Sequence, residues 1–265
     1  MCDIEVSAPS DCPTVAMLRP SSGMAQWLAS EAYFFEPYVP STEYVDSFGN
    51  LCQRFVVPQG RMRIRVDVVV DTEEAIAVEP NAPCTPIEQV PDAALQFLLQ
   101  SRYCPSDTME RQARRMVAGV APGYGQVETI RAWIHHNLEY RYGVSDAATD
   151  ALDTLARGAG VCRDFAHVGI ALCRALQIPA RMVVGYLYQL YPMDMHAWFE
   201  AYIGGRWFTF DATQETARGG RIVVAYGRDA ADVAFLSNYG TLNTERLTVQ
   251  VELHQDPAPP PLAAG

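Results

Sequence analysis

The chain contains no lysine; all 20 of its Lys-plus-Arg residues are arginine. Without that amine, neither Schiff-base chemistry nor a phosphate-binding P-loop can be built. Positive charge is scarce as a whole, because 31 Asp and Glu give a formal net charge of −11. A surface of that sign repels a phosphate backbone, so a general nucleic-acid binder is excluded. No apolar run reaches the roughly 18 residues of a membrane span, and no membrane partner is expected. The opening Met1-Cys2-Asp3-Ile4-Glu5 lacks the basic and apolar regions of a signal peptide, so the expected location is cytoplasmic. Neither Cys-x-x-Cys nor His-Glu-x-x-His occurs, and no EF-hand loop is present; no metal or other cofactor is expected. The 7 cysteines are an odd number, so at least one thiol lacks a partner within the chain. Free thiols fit a reducing compartment.

What is present is an ordinary globular composition, 49% hydrophobic and 19% charged over 265 residues, enough for one large domain or two small ones. Residues 1–80 read as β. Arg61-Met62-Arg63-Ile64-Arg65-Val66-Asp67-Val68 alternates polar and apolar, the signature of a strand with one wet face. Glu43–Val45 and Gln53–Val57 flank a Gly-containing hairpin loop at 46–50. Residues 81–91, with Pro83, Pro86 and Pro91, read as a linker. Helices are expected over 92–101, 107–118, 125–140 and 150–157. Val161 to Leu176 is apolar on most faces, so it is expected as a helix buried in a domain. Strands are expected over 181–190, 195–203, 206–211, 222–225 and 247–253. The fold class is therefore α+β, with a β-rich N-terminal domain and a mixed domain over 92–254. Residues 255–265 read as a disordered tail.

Cys162 opens the buried helix, directly after Gly158-Ala159-Gly160-Val161. A helix N-terminus carries partial positive charge and unsatisfied N–H groups, and both favour a nucleophilic thiolate. The glycines let the backbone approach a substrate, and the Cys162 N–H can donate to a developing oxyanion. A buried structural cysteine is the alternative reading, the commonest fate of the residue type. Cys173 lies roughly 16 Å along the same helix axis, too far for a disulfide.

Met195-His196-Ala197-Trp198-Phe199-Glu200-Ala201-Tyr202-Ile203 and Arg206-Trp207-Phe208-Thr209-Phe210-Asp211 flank Gly204-Gly205. A two-residue hairpin loop there pairs Ile203 with Arg206 and places Asp211 opposite Trp198. Side chains alternate with period 2, so His196 and Asp211 share one face as diagonal neighbours, within reach of an imidazole–carboxylate contact. A one-residue error in the loop would put Asp211 on the other face. Nucleophile, base and orienting acid are the parts of covalent acyl transfer. Other candidates fit less well. His167 is about 140° round the helix from Cys162. His135 and His136 read as surface residues. Asp194 sits outside the hairpin alternation, and Asp164 reads as a first-turn acid favoured by the helix dipole.

Three segments carry a family resemblance: Gly158-Ala159-Gly160-Val161-Cys162-Arg163-Asp164-Phe165-Ala166-His167, Asp194-Met195-His196-Ala197-Trp198-Phe199-Glu200 and Trp207-Phe208-Thr209-Phe210-Asp211-Ala212-Thr213. They resemble the core motifs of the bacterial transglutaminase-like family, in the same Cys, His, Asp order. Tyr44-Val45-Asp46-Ser47-Phe48-Gly49-Asn50 and Ile222–Val233 are similar to flanking parts of its members. The resemblance implies a papain-like core in which a Cys-bearing helix packs on an antiparallel sheet, and a catalytic triad of Cys162, His196 and Asp211. It further implies a thioester acyl-enzyme formed from a protein, peptide or small amide and resolved by an amine acceptor or by water. A second oxyanion donor upstream of the nucleophile is implied too, with Tyr140 and Tyr142 as candidates. Acyltransferase and cysteine peptidase or amidase remain open alternatives beside a non-catalytic binding module. An arylamine acyltransferase is disfavoured by the N-terminal β domain and the hairpin motif.

Overall fold

The computed structural model describes residues 1–23 and 26–254; the expected tail lies outside the described residues. The N-terminal region is β throughout: β1 (Cys2–Ala8), β2 (Cys12–Ala16), β3 (Gln26–Glu36), β4 (Thr42–Val45), β5 (Leu51–Val57) and β6 (Gly60–Thr72). In β6, Met62, Ile64 and Val66 are buried while the intervening arginines keep access to solvent, as the alternation requires. β4 and β5 close over Asp46–Asn50, where Asp46 Oδ1 accepts from the N–H groups of Phe48 and Asn50, both at 2.8 Å.

Helices follow. α1 (Asp92–Leu95) and α2 (Glu110–Met116) are shorter than the expected 92–101 and 107–118, each having a 3₁₀ turn alongside it. Such short stretches gain little from helix propagation, so local turns take their ends. α3 (Tyr124–Asn137) turns Val127, Ile130 and Ile134 inward. β7 (Glu139–Tyr140) precedes α4 (Ala151–Arg157), which begins in a capping box of Asp150 and Asp153 and ends at Gly158 with φ 70°. β8 (Ala159–Gly160) pairs in parallel with β7. It leads into α5 (Cys162–Ala175), buried from Asp164 to Arg174 as its all-round apolar pattern demands.

β9 (Ala180–Leu187), β10 (His196–Ile203), β11 (Arg206–Phe210) and β12 (Arg221–Gly227) form an antiparallel sheet in the order β11-β10-β9-β12. α5 packs on it at Gly169, where a Cβ would fall 2.4 Å from the Phe199 ring. The chain ends its described course with β13 (Leu236–Asn238) and β14 (Asn243–Val249).

These last strands correct the expected domain division. β14 pairs with β1 and β13 with β2, completing two sheets, β14-β1-β6-β3 and β13-β2-β5-β4. Residues 236–249 thus belong with the N-terminal strands and not with a domain over 92–254. Pairing across more than two hundred residues has no local signature, so sequence reading missed it. The expected 247–253 strand likewise lies over 243–249. Nor is 81–91 a loose linker. Ala82 O accepts from Tyr124 N at 3.0 Å, Pro83 O from Gly204 N at 2.9 Å, and Thr85 Oγ1 from Gly205 N at 3.1 Å. The prolines set an extended path, and the hairpin turn fixes it as a strap.

β12 is the edge of its sheet, and two amide side chains from the N-terminal strands cover that edge. Gln26 exchanges hydrogen bonds with both N–H and C=O of Val223, at 2.7 and 2.8 Å. Asn50 does the same with Tyr226, at 2.8 and 2.7 Å. Each amide stands in for a missing strand neighbour. On the other side of β12, Gly185 of β9 lies opposite His196, and a Cβ there would sit 1.9 Å from Ile222 O and 3.2 Å from the Trp198 ring. Gly185→Ala is therefore expected to lose about 1–3 kcal/mol in urea unfolding through overpacking. Gly23→Ala, where nothing lies within 4 Å, is expected to be near neutral. Equal stabilities for the two variants would contradict this packing.

Candidate active site

Gly204 and Gly205 adopt φ 56° and 85°, the pair of positive angles that a tight two-residue hairpin turn requires. Ile203 pairs with Arg206 and Phe199 with Phe210, which is the register expected from loop length. Asp211 follows the last pair and stands on the face of His196. Its Oδ2 lies 2.7 Å from His196 Nε2, and both residues are buried.

The carboxylate is held from all sides. Oδ1 accepts from Thr213 N at 3.0 Å and Thr213 Oγ1 at 2.7 Å. Oδ2 also faces Arg221 Nη1 at 2.9 Å. Burial alone would raise the Asp211 carboxyl. The charges of His196 and Arg221, with the Thr213 hydrogen bond, outweigh it and keep the group well below the usual carboxylate range. An ionised carboxylate only accepts, so Nε2 carries a proton and Nδ1 is the nitrogen left to face a substrate or the thiol. Burial also opposes charge on His196. Asp211 and, less strongly, Cys162 more than offset it, and the imidazole is pushed up to about 9.

Cys162 is half-buried at the first turn of α5, its thiol within interaction range of His196. Asp164 caps that turn by accepting from Val161 N at 2.9 Å. This is the first-turn role expected from the sequence. Gly160 makes room for it, because a Cβ there would lie 2.7 Å from Asp164 Cβ. All seven cysteines are free; five are buried, and Cys84 is half-buried with its thiol pushed up by burial. The parallel pairing of Tyr140 with Gly160 carries the Tyr140 hydroxyl beside Cys162. Burial, then the neighbouring Cys162 and Tyr142, raises that phenol. Tyr142 packs edge-on against the Tyr140 ring at 5.5 Å and is more exposed. Of the two upstream candidates, Tyr140 is the one beside Cys162.

The competing residues are engaged elsewhere. His167 is fully buried, stacks on Tyr103 at 5.0 Å and accepts from Ala230 N at 3.1 Å. Asp194 accepts from Met195 N. His136 is exposed, whereas His135 is half-buried with Nδ1 3.1 Å from Ala212 O, which corrects its reading as a surface residue. Sequence reading missed Thr213 and Arg221. Arg221 opens β12 one residue before the strand start read from the apolar pattern, and only strand pairing brings it to Asp211. No cluster of His, Cys, Asp or Glu suited to a metal occurs among the described residues, and none of their helices is long and apolar enough to cross a membrane.

The model of the transglutaminase-like superfamily core matches residues 110–212, the span from α2 to just past Asp211. A solved structure from Cytophaga hutchinsonii, provisionally described as a cysteine protease, is 34% identical. It covers 97% of this chain and 91% of its own, with a TM-score of 0.89. An uncharacterised protein of Mycobacterium leprae (strain TN) is 27% identical over 255 residues, 90% of each chain. One from Mycobacterium tuberculosis (strain ATCC 25618 / H37Rv) is 28% identical, covering 78% of this chain and 74% of its own. The chain belongs to the transglutaminase-like superfamily.

The electrostatics at His196 can be checked directly. An NMR titration is expected to place its imidazole near pH 9. In Asp211→Asn the carboxylate charge is gone while burial and the weaker effect of Cys162 remain, so the titration should fall well below 9. A wild-type midpoint near the ordinary value of about 6.5 would contradict the coupling.

Proposed function

We propose that the protein is a thiol-dependent acyl-transfer enzyme acting on carboxamide or peptide bonds, with Cys162 as nucleophile, His196 as acid–base and Asp211 as the orienting acid. The observation that carries this reading is the 2.7 Å His196–Asp211 pair facing a half-buried cysteine at a helix N-terminus. With Nε2 committed to Asp211, Nδ1 serves the thiol. In the reactive form the thiol's proton sits on Nδ1 and the sulfur is a thiolate. The thiolate adds to the carbonyl carbon, and the oxygen takes the negative charge. The Cys162 N–H and the Tyr140 hydroxyl then donate to it. Nδ1–H then gives its proton to the departing nitrogen as the C–N bond breaks, leaving a thioester and a neutral imidazole. The imidazole next removes a proton from an amine or from water, which attacks the thioester and releases the thiol.

Hydrolysis as a cysteine peptidase or amidase is the second reading. It shares every step but the last, and it is favoured by the provisional description of the Cytophaga hutchinsonii relative. The substrate is a protein, peptide or small amide on either reading. A cytoplasmic setting would keep the nucleophile reduced.

Two measurements test the proposal. Cys162→Ala is expected to abolish turnover, and Asp211→Asn to cut it on the order of 10⁴-fold while the fold is retained, as in the serine-protease precedent. Full activity in Cys162→Ala would end the assignment. Incubation with a peptide library and a small diamine is then expected to leave a mass-spectrometric acyl adduct on Cys162. Diamine incorporation would mark the transferase; ammonia or fragments without incorporation would mark the hydrolase. The enzyme alone should form no covalent homopolymer under reducing conditions, because the chain has no lysine to accept an acyl group. A reductant-resistant ladder would contradict this.

A further inference from the structure

β12 pairs with β9 in two registers. Arg221 lies opposite Leu187 and Val223 opposite Gly185, but Ala225 lies opposite Val184. Val224 is left over between them, the extra residue of a β-bulge. In an unbroken strand successive residues point their N–H and C=O to alternate sides, so the pairs facing one edge recur every two residues. Gln26 engages the N–H and C=O of Val223, and Asn50 engages those of Tyr226, three residues further on. Both pairs face the same edge only because Val224 intervenes. Each amide uses both of its protons: Gln26 Nε2 also donates to Ser21 O at 2.8 Å, and Asn50 Nδ2 to Asp46 Oδ2 at 2.9 Å. Both side chains are buried. The two clamps thus match the bulged strand and not a straight one.

The bulge decides where Arg221 points. Downstream of it the strand is anchored, because the Tyr226 ring centre lies 3.8 Å from the Arg181 guanidinium, which pairs with Glu200 at 2.6 Å. Straightening the strand would therefore slip its upstream half by one residue and set Ile222 opposite Leu187 in place of Arg221. Such a slip turns each side chain to the other face of the sheet. Arg221 would leave Asp211, whose Oδ2 its Nη1 now faces at 2.9 Å. We propose that Gln26 and Asn50 are positioning residues for the His196–Asp211 pair, locking the Val224 bulge that keeps Arg221 on the face of Asp211. The inference rests on the acid–base reading of His196. Both amides act through β12 and Arg221, not on the reacting atoms. The guanidinium charge helps to keep Asp211 ionised, and as a cation beside the pair it opposes positive charge on His196. A contact made in the N-terminal sheets thereby reaches the acid–base pair.

The test reads the His196 imidazole by NMR titration of the full chain. It needs no turnover, so its outcome is separate from whether Cys162 forms an acyl-enzyme. In Arg221→Met the midpoint is expected to rise above the wild-type value of about 9, because a cation has left the pair. Gln26→Met keeps the side-chain length but loses both bonds to Val223, and Asn50→Ser is too short to reach Tyr226; each is expected to raise the midpoint in the same direction. Combining Gln26→Met with Arg221→Met should give no further rise, because both act through one guanidinium. Should Gln26→Met fail to fold, Gln26→Asn, an amide one methylene short of Val223, replaces it with the same expectation. Val6→Ala, a buried position of β1, controls for lost stability and is expected to leave the midpoint at the wild-type value. An unmoved midpoint in Arg221→Met or in the clamp variants, an equal rise in Val6→Ala, or a further rise in the double variant would each overturn the proposal.

Discussion

The charge of Asp211 is the constraint around which the rest of the site is arranged. A bare carboxylate at this depth would be strongly unfavourable, and it would neutralise before it stayed buried. Here it keeps its charge because an imidazole, a guanidinium, a hydroxyl and a main-chain N–H converge on its two oxygens. They come from the start of β10, the start of β12 and the residues after β11. Three strands must therefore hold register for one carboxylate to be satisfied. Loss of any one partner would leave a buried charge short of compensation, which is much more costly than the same loss at the surface.

That requirement explains why the N-terminal strands matter to a site they do not enter. β12, which carries Arg221, is an edge strand, and an uncovered edge is poorly specified in position. Gln26 and Asn50 cover it from β3 and from the turn before β5. The two N-terminal sheets are themselves completed by the last described strands, β13 and β14, and Met1 donates to Gln250 O at 2.8 Å. The family core at 110–212 ends one residue after Asp211, so the support from Arg221 and its two amide clamps lies outside it. The gap left by Gly185 lets the Trp198 indole reach under the guanidinium, joining β10 and β12 from within.

On the thiol side the reasoning is local. Cys162 stands where backbone N–H groups are unsatisfied, and Asp164 takes the Val161 N–H without obstructing the sulfur. The parallel β7–β8 pair is only two residues long, yet with the edge-on contact of Tyr140 on Phe165 of α5 it brings Tyr140 to the helix start. In the proposed mechanism the thiol half thus rests on short-range geometry at Cys162, and the acid–base half on long-range strand register.

The sequence by itself determined the pieces whose physics is local. Apolar periodicity defined α5 and β6. The Gly204–Gly205 turn set the hairpin register, and with period-2 alternation that register placed His196 and Asp211 on one face. The position of Cys162 after Gly158–Val161 followed from helix-end chemistry. Tertiary structure alone decided which distant segments meet. It sent residues 236–249 back to the N-terminal sheets and drew the proline-rich strap across the hairpin. It chose Tyr140 over Tyr142, and it delivered Arg221 to Asp211. None of these has a signal in nearby residues, because each depends on pairing between strands far apart in the chain, where burial and hydrogen-bond satisfaction across the whole fold select the partner.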